Sequence, residues 1–197
     1  MGKLKKLTRQ DLYSLEQYAE KRPEFRARVM ELKKNRMLKV GDHATLYFED
    51  RLTVQYQIQE MLRVERIFEA NEIDEELNAY NPLIPDGTNL KATFMIEYQD
   101  VAERKQALAK LIDIEDRVWI RVNGFDPIWA IADEDLKRDT EDKTSAVHFL
   151  RFEFAPEAIQ AAKRNASISV GIDHDHYRVA VEPLPQIKRD SLVKDFD

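Results

Sequence analysis

Apolar positions recur first at helical spacing. Leu12, Leu15 and Tyr18 follow Thr8, a residue able to cap, and predict a helix over about Arg9–Ala19. Pro23 suits the first turn of a second helix to about Met37, with Phe25, Val29 and Leu32 on its inner face, so the two would form a helical hairpin. His43–Glu49 then alternates as a strand, with Ala44, Leu46 and Phe48 on one face.

The next stretch, Phe48–Phe68, organises the rest. Read as a helix over about Leu52–Ala70, it carries apolar side chains at almost every azimuth, as a buried element does. Gln55, Gln59, Arg63 and Arg66 fall within an arc of roughly 80° on it, a narrow polar stripe that needs partners once buried. Its first half, Leu52–Gln59, also alternates as a strand would. The helix-forming residues and the unbroken run into LRVERIFEA favour the helix.

Beyond it the pattern predicts a short helix over Asp74–Tyr80, a turn-bearing loop Asn81–Asn89, and a strand Leu90–Tyr98. Asp100, with Glu103 at the capping-box position, starts an amphipathic helix to about Ile112. Arg117–Val122 and Ile128–Ala132 read as strands joined around Asn123-Gly124, and Thr144–Phe154 as the longest strand. The charged run Asp133–Lys143 reads as a short surface helix or loop. Pro156–Asn165 is helical, Ser167–Ile172 and Tyr177–Val181 form a hairpin, and Gln186–Val193 closes the chain as a helix. The sum is an α+β domain spanning the whole chain. It predicts a mainly antiparallel sheet of about five to seven strands packed with helices, a helical N-terminal layer and a buried central helix.

Composition narrows the chemistry. The 197 residues are 43% hydrophobic and 35% charged, and no run approaches the roughly 18 consecutive apolar residues of a membrane helix. The basic start lacks the apolar core of a signal peptide, which predicts a cytoplasmic protein. With no cysteine, thiolate catalysis and thiolate metal sites are excluded, so iron, manganese or zinc would rely on His, Asp and Glu. A net charge of −6 spread along the chain argues against nucleic acid as a partner. Self-association is compatible with the sequence.

Two constellations follow. His43 and Glu49 share a strand face and could join Glu60 or Glu65 of the central helix in a His/carboxylate metal site. His148, on the apolar face of its strand, could face the polar stripe, or be a core histidine with a bonded ring nitrogen. His174 stands two residues from His176, a spacing that suits a metal on an extended segment, or is an incidental member of a polar turn. Alternatively Arg63, Arg66 and Arg151, with Gln55 and Gln59, grip a small anionic ligand. The competing reading has these arginines in structural ion pairs with Glu49, Glu60 and Glu153. No phosphate loop, dinucleotide fingerprint or nucleophile elbow is present.

The runs FEDRLTVQYQIQEMLRVERIFE, ELNAYNPLIPDGTNLKATFMIE, IEDRVWIRV and KTSAVHFLRFE resemble, in that order, an uncharacterised bacterial family known as domain of unknown function three-five-zero-one. The resemblance implies an accessory role in a redox or peroxide-response system, because members are commonly encoded beside rubrerythrin-like proteins and iron–sulfur reductase subunits. It carries over no catalytic residue. The family pattern has one histidine after Gly-x-Asp, so His176 is a departure.

Overall fold

Ser14 starts the first long helix. In the computed structural model, which describes residues 6–132 and 143–196, the Ser14 hydroxyl accepts from the Gln17 N–H while Gln17 Oε1 accepts from the Ser14 N–H. From there α1 runs Leu15–Arg36, and Thr8 caps only a short 3-10 turn, Arg9–Asp11. The expected hairpin is therefore one rod with Pro23 inside it. Proline deprives the Ala19 carbonyl of its helical donor. Both residues are exposed, so water can replace that donor. The buried positions Tyr18, Phe25, Val29 and Arg36 keep one helical phase across the proline, and packing that face outweighs the lost bond.

β1 (Met37–Lys39) follows at once and pairs antiparallel with β2 (Ala44–Phe48). Asp50 then caps α2 (Arg51–Glu65) in a reciprocal box with Thr53. The helix stops at Arg66, which adopts φ 56° and ψ 40° with its N–H on the Leu62 carbonyl. The expected rod to Ala70 thus breaks, and α3 (Ala70–Tyr80) is a separate helix. The apolar azimuths of α2 have two destinations. Val54, Ile58 and Leu62 cluster with Leu7, Leu77 and Ile84, while Leu52 and Tyr56 pack on Tyr18, Phe25 and Val29 of α1.

β3 (Asn89–Ile96), α4 (Val101–Lys110) and β4 (Val118–Val122) come where the pattern predicts them, α4 with its Asp100 cap. The Ile128–Ala132 run behaves differently, because it changes sheet. β5 (Ile128–Trp129) pairs with β4, and β6 (Ile131–Ala132) pairs with β7 (Val147–Glu153), the buried Ala130 standing between. α5 (Pro156–Lys163), β8 (Ile168–His174), β9 (Tyr177–Val181) and α6 (Gln186–Val193) complete the chain.

The architecture is α+β, and its strands divide between two antiparallel sheets, β1-β2-β3-β7-β6 and β5-β4-β8-β9. One apolar core joins them: Leu46, Phe94 and Leu150 enter it from the first sheet, Ile120 and Val170 from the second, and Leu192 from α6. Of the charged run expected at Asp133–Lys143, residues 133–142 lie outside the described residues. No described helix is long and apolar enough to cross a membrane.

Candidate functional site

The polar stripe of α2 holds backbone. Gln59, wholly buried, accepts from the Tyr13 N–H at 2.6 Å and donates to the Tyr13 carbonyl at 3.3 Å, so its amide mimics a facing peptide group. Gln55 donates to the Asp11 carbonyl at 2.7 Å. Asn81, which sequence reasoning placed only in a loop, treats Leu7 the same way at 2.7 and 2.9 Å. Together these amides strap residues 7–13 onto α2 and the 3-10 turn Asn81–Leu83 that follows α3. Replacing Gln59 by alanine is expected to cost about 1 kcal/mol and to speed hydrogen exchange at the Tyr13 amide, while the sheet amides stay protected.

The two glutamates near α2 are also engaged. Glu60 accepts from Arg22 Nε at 2.7 Å and Nη2 at 2.8 Å, and from the Tyr18 hydroxyl at 2.7 Å. The Arg22 pairing lowers its pKa to about 2, and burial pushes the Tyr18 phenol up. Glu49, 3% exposed, accepts from Thr53 at 2.6 Å, Thr93 at 3.0 Å and Gln57 at 3.3 Å. Neither carboxylate has a histidine beside it among the contacts of the described residues.

The arginines separate. Arg63 and Arg66 are exposed at the end of α2, and Arg151 pairs with Glu153 two residues along β7, so the three do not form one pocket. The deeply buried guanidinium at the junction of β2 and α2 is Arg36. It donates to the carbonyls of Phe48 (3.0 Å), Glu49 (2.9 Å) and Ser191 (3.2 Å) and grips both oxygens of Asp195. Its signal in the sequence was phase, since position 36 continues the buried stripe of Tyr18, Phe25 and Val29.

The histidines lie at separate places. Buried His148 donates from Nε2 to the Ser145 carbonyl and meets the Thr144 hydroxyl, both at 3.0 Å. Thr144 in turn donates to Glu115 at 3.3 Å, giving a buried His–Thr–Glu cluster whose second and third members sequence reasoning missed. His174 spends both ring nitrogens, donating from Nε2 to the Ile112 carbonyl at 3.0 Å and accepting at Nδ1 from the His176 N–H at 3.1 Å. A metal there would have to break one of these bonds. Among the described residues no three His, Asp or Glu side chains gather as a metal-ligand set.

His43 differs from both. Its Nδ1 lies 3.1 Å from the Glu97 carbonyl and must donate to it, so that in the neutral ring Nε2 is the acceptor, bonded by no described residue. The ring stacks on Tyr98, with centroids 3.9 Å apart and planes within 10°. Tyr177 accepts the His43 backbone N–H at 3.1 Å and donates to the Val40 carbonyl at 2.8 Å, fixing the turn before β2. His43 lines a cleft of about 700 Å³ at one end of the larger sheet, with Lys39, Glu97, Tyr98, Glu103 and Arg104 around it. Thr45 holds the Glu97 carboxylate at 2.5 Å, and burial together with Glu103 pushes the Tyr98 phenol up. Lys39, Glu103 and Arg104 form no side-chain hydrogen bond or ion pair with another described residue, so the rim offers charge of both signs.

Two antiparallel sheets sharing one core, a helical layer strapped by side-chain amides, and a cleft rimmed by charge of both signs define the class. The chain belongs to the family described as Protein of unknown function (DUF3501), which matches residues 6–196. It is similar to a crystal structure of a novel protein of unknown function from Burkholderia pseudomallei K96243. The two are 49% identical with a TM-score of 0.93, over 98% of this chain and 100% of that one. No functionally curated protein matches.

Proposed function

We propose that this protein is an accessory protein whose His43 cleft binds a small zwitterion, the size and charge of an amino acid or dipeptide. The observation behind it is the state of His43: its Nδ1–H is committed to the Glu97 carbonyl, which presents Nε2 as an acceptor in a cleft rimmed by Lys39, Arg104 and Glu103. A ligand ammonium or N–H would meet Nε2 and Glu103, and a carboxylate would meet Arg104 or Lys39. Iron, manganese or zinc has no place in this reading, because Glu49, Glu60, His148 and His174 are held by other groups. Metal analysis of untagged protein is expected to find none in stoichiometric amount.

The test is nitrogen-detected NMR of the imidazole rings during titration with free amino acids and dipeptides. The expected result is a ligand that shifts the His43 Nε2 resonance and leaves His174 in place, with His43→Ala weakening binding at least ~10-fold. If no zwitterion at millimolar concentration moves His43, the reading fails.

The family resemblance adds a setting, service beside a rubrerythrin-like protein or an iron–sulfur reductase subunit. Gentle affinity purification from the host tests that separately. Recovery of neither partner removes the setting without touching the cleft.

A further inference from the structure

Both tryptophans of the chain lie together on the outer face of the smaller sheet. The register places Trp129, Trp119, Gly171 and Ala180 in one row across β5, β4, β8 and β9. Gly171 is there for space: a Cβ on it would sit 2.6 Å from Trp119 Cε2, so the indole lies directly on its backbone. Arg121 covers the Trp119 ring at 5.3 Å, and Trp129 is 44% exposed. With Pro127 and Val179, the Trp129, Trp119 and Ala180 members of the row line an open groove of about 380 Å³. An ion pair closes each side, Arg121 to Glu182 at 2.7 Å and Arg178 to Asp173 at 2.6 Å.

The dimensions select the occupant. Strands lie about 4.8 Å apart, so the four-strand row is about 14 Å long, and the flanking pairs, two residues away along each strand, confine it to about 13 Å across. That is far below the ~800 Å² each partner buries in a stable globular interface. It matches about five residues of polyproline II, at 3.1 Å each. A segment crossing the strands gains no ladder bonds from the sheet face. It is therefore best made of residues that lack an N–H to desolvate and present a flat apolar ring to an indole.

We propose that this groove docks a short proline-rich segment of a partner protein, with a basic residue at one end. The basic residue follows from the adjoining hollow, where Asp113, Asp173 and Asp175 outnumber Arg117 and Arg178. The site is separate from the His43 cleft, and neither reading depends on the other.

Because no other tryptophan exists in the chain, tryptophan emission excited at wavelengths that tyrosine does not absorb reports this groove alone. The probe is an oligoproline peptide ending in lysine, compared with a Gly/Ser peptide of equal length and charge. Oligoproline is expected to change the emission saturably and the Gly/Ser peptide is not. Trp129→Ala is expected to weaken binding at least ~10-fold. Ala180→Lys, at an exposed position that leaves the core intact, should do the same and guards against a folding defect in the first variant. No saturable change, an equal response to the Gly/Ser peptide, or binding indifferent to both substitutions overturns the proposal. So does an emission change that tracks protein concentration alone and accompanies dimers in sedimentation, which would give the groove to a second copy.

Discussion

Replacing Arg36 by methionine is expected to lower the unfolding free energy by about 3–5 kcal/mol, read from denaturant midpoints with an unchanged slope. The guanidinium is 2% exposed and serves five acceptor atoms: three carbonyls and the two oxygens of Asp195, itself 6% exposed. Methionine fills much of the volume and supplies none of the donors, so the Asp195 carboxylate stays buried without that cation. Lysine keeps the charge but cannot reach the β2–α2 joint and Asp195 together with one ammonium, and should recover less than half of the loss. Arg63→Met is the control. That side chain is exposed, and the change is expected to fall within about 0.5 kcal/mol. An Arg36 effect under about 1 kcal/mol would mean that water satisfies these groups, and the central role assigned to Arg36 would be wrong.

Glu60→Ala comes second, at about 2 kcal/mol, because it removes a two-pronged Arg22 pairing and strips the acceptor from Tyr18, which is fully buried. Its signature is in pH. The Arg22 hydrogen bonds lower the Glu60 pKa from 4.5 to about 2. A carboxylate depressed on folding contributes in full above its unfolded pKa and loses that contribution as pH falls through the folded value. Wild-type stability should therefore drop between about pH 4.5 and pH 2 by more than that of Glu60→Gln. The carboxylate is 23% exposed, so screening limits the expected difference to about 1–2 kcal/mol. Parallel acid profiles for the two proteins would show that the pairing is not coupled to folding.

Much of this fold was legible in the chain because periodicity reports burial. The alternation in Leu90, Ala92, Phe94 and Ile96 foretold the inner face of β3, and Asp100 foretold the start of α4. Proline misled at position 23, since a helix with one continuous buried phase absorbs the missing bond on its wet side. At Arg66 no residue type announced the left-handed turn, which glycine or asparagine would have signalled. The division into two sheets turns on Ala130, where a single run serves both, and strand patterning cannot say which neighbour a strand chooses.

The site followed the same logic. Gln55 and Gln59 of α2 need partners, and those partners are backbone atoms of Asp11 and Tyr13, which no side-chain pattern encodes. His148 found Thr144 and Glu115 rather than the stripe, because β7 turns it to the core between the sheets. His43 stands apart from His174 because only one of its ring nitrogens is bonded by a described residue, a detail of geometry alone.

The amide clamp has an evolutionary consequence. Gln55, Gln59 and Asn81 bond carbonyls and N–H groups rather than side chains, so these three contacts read the strap's course and not its letters. Outward strap positions such as Gln10 are then free to drift, while Leu7 must stay apolar for its cluster and Arg9 and Asp11 keep their ion pairs with Asp74 and Arg51.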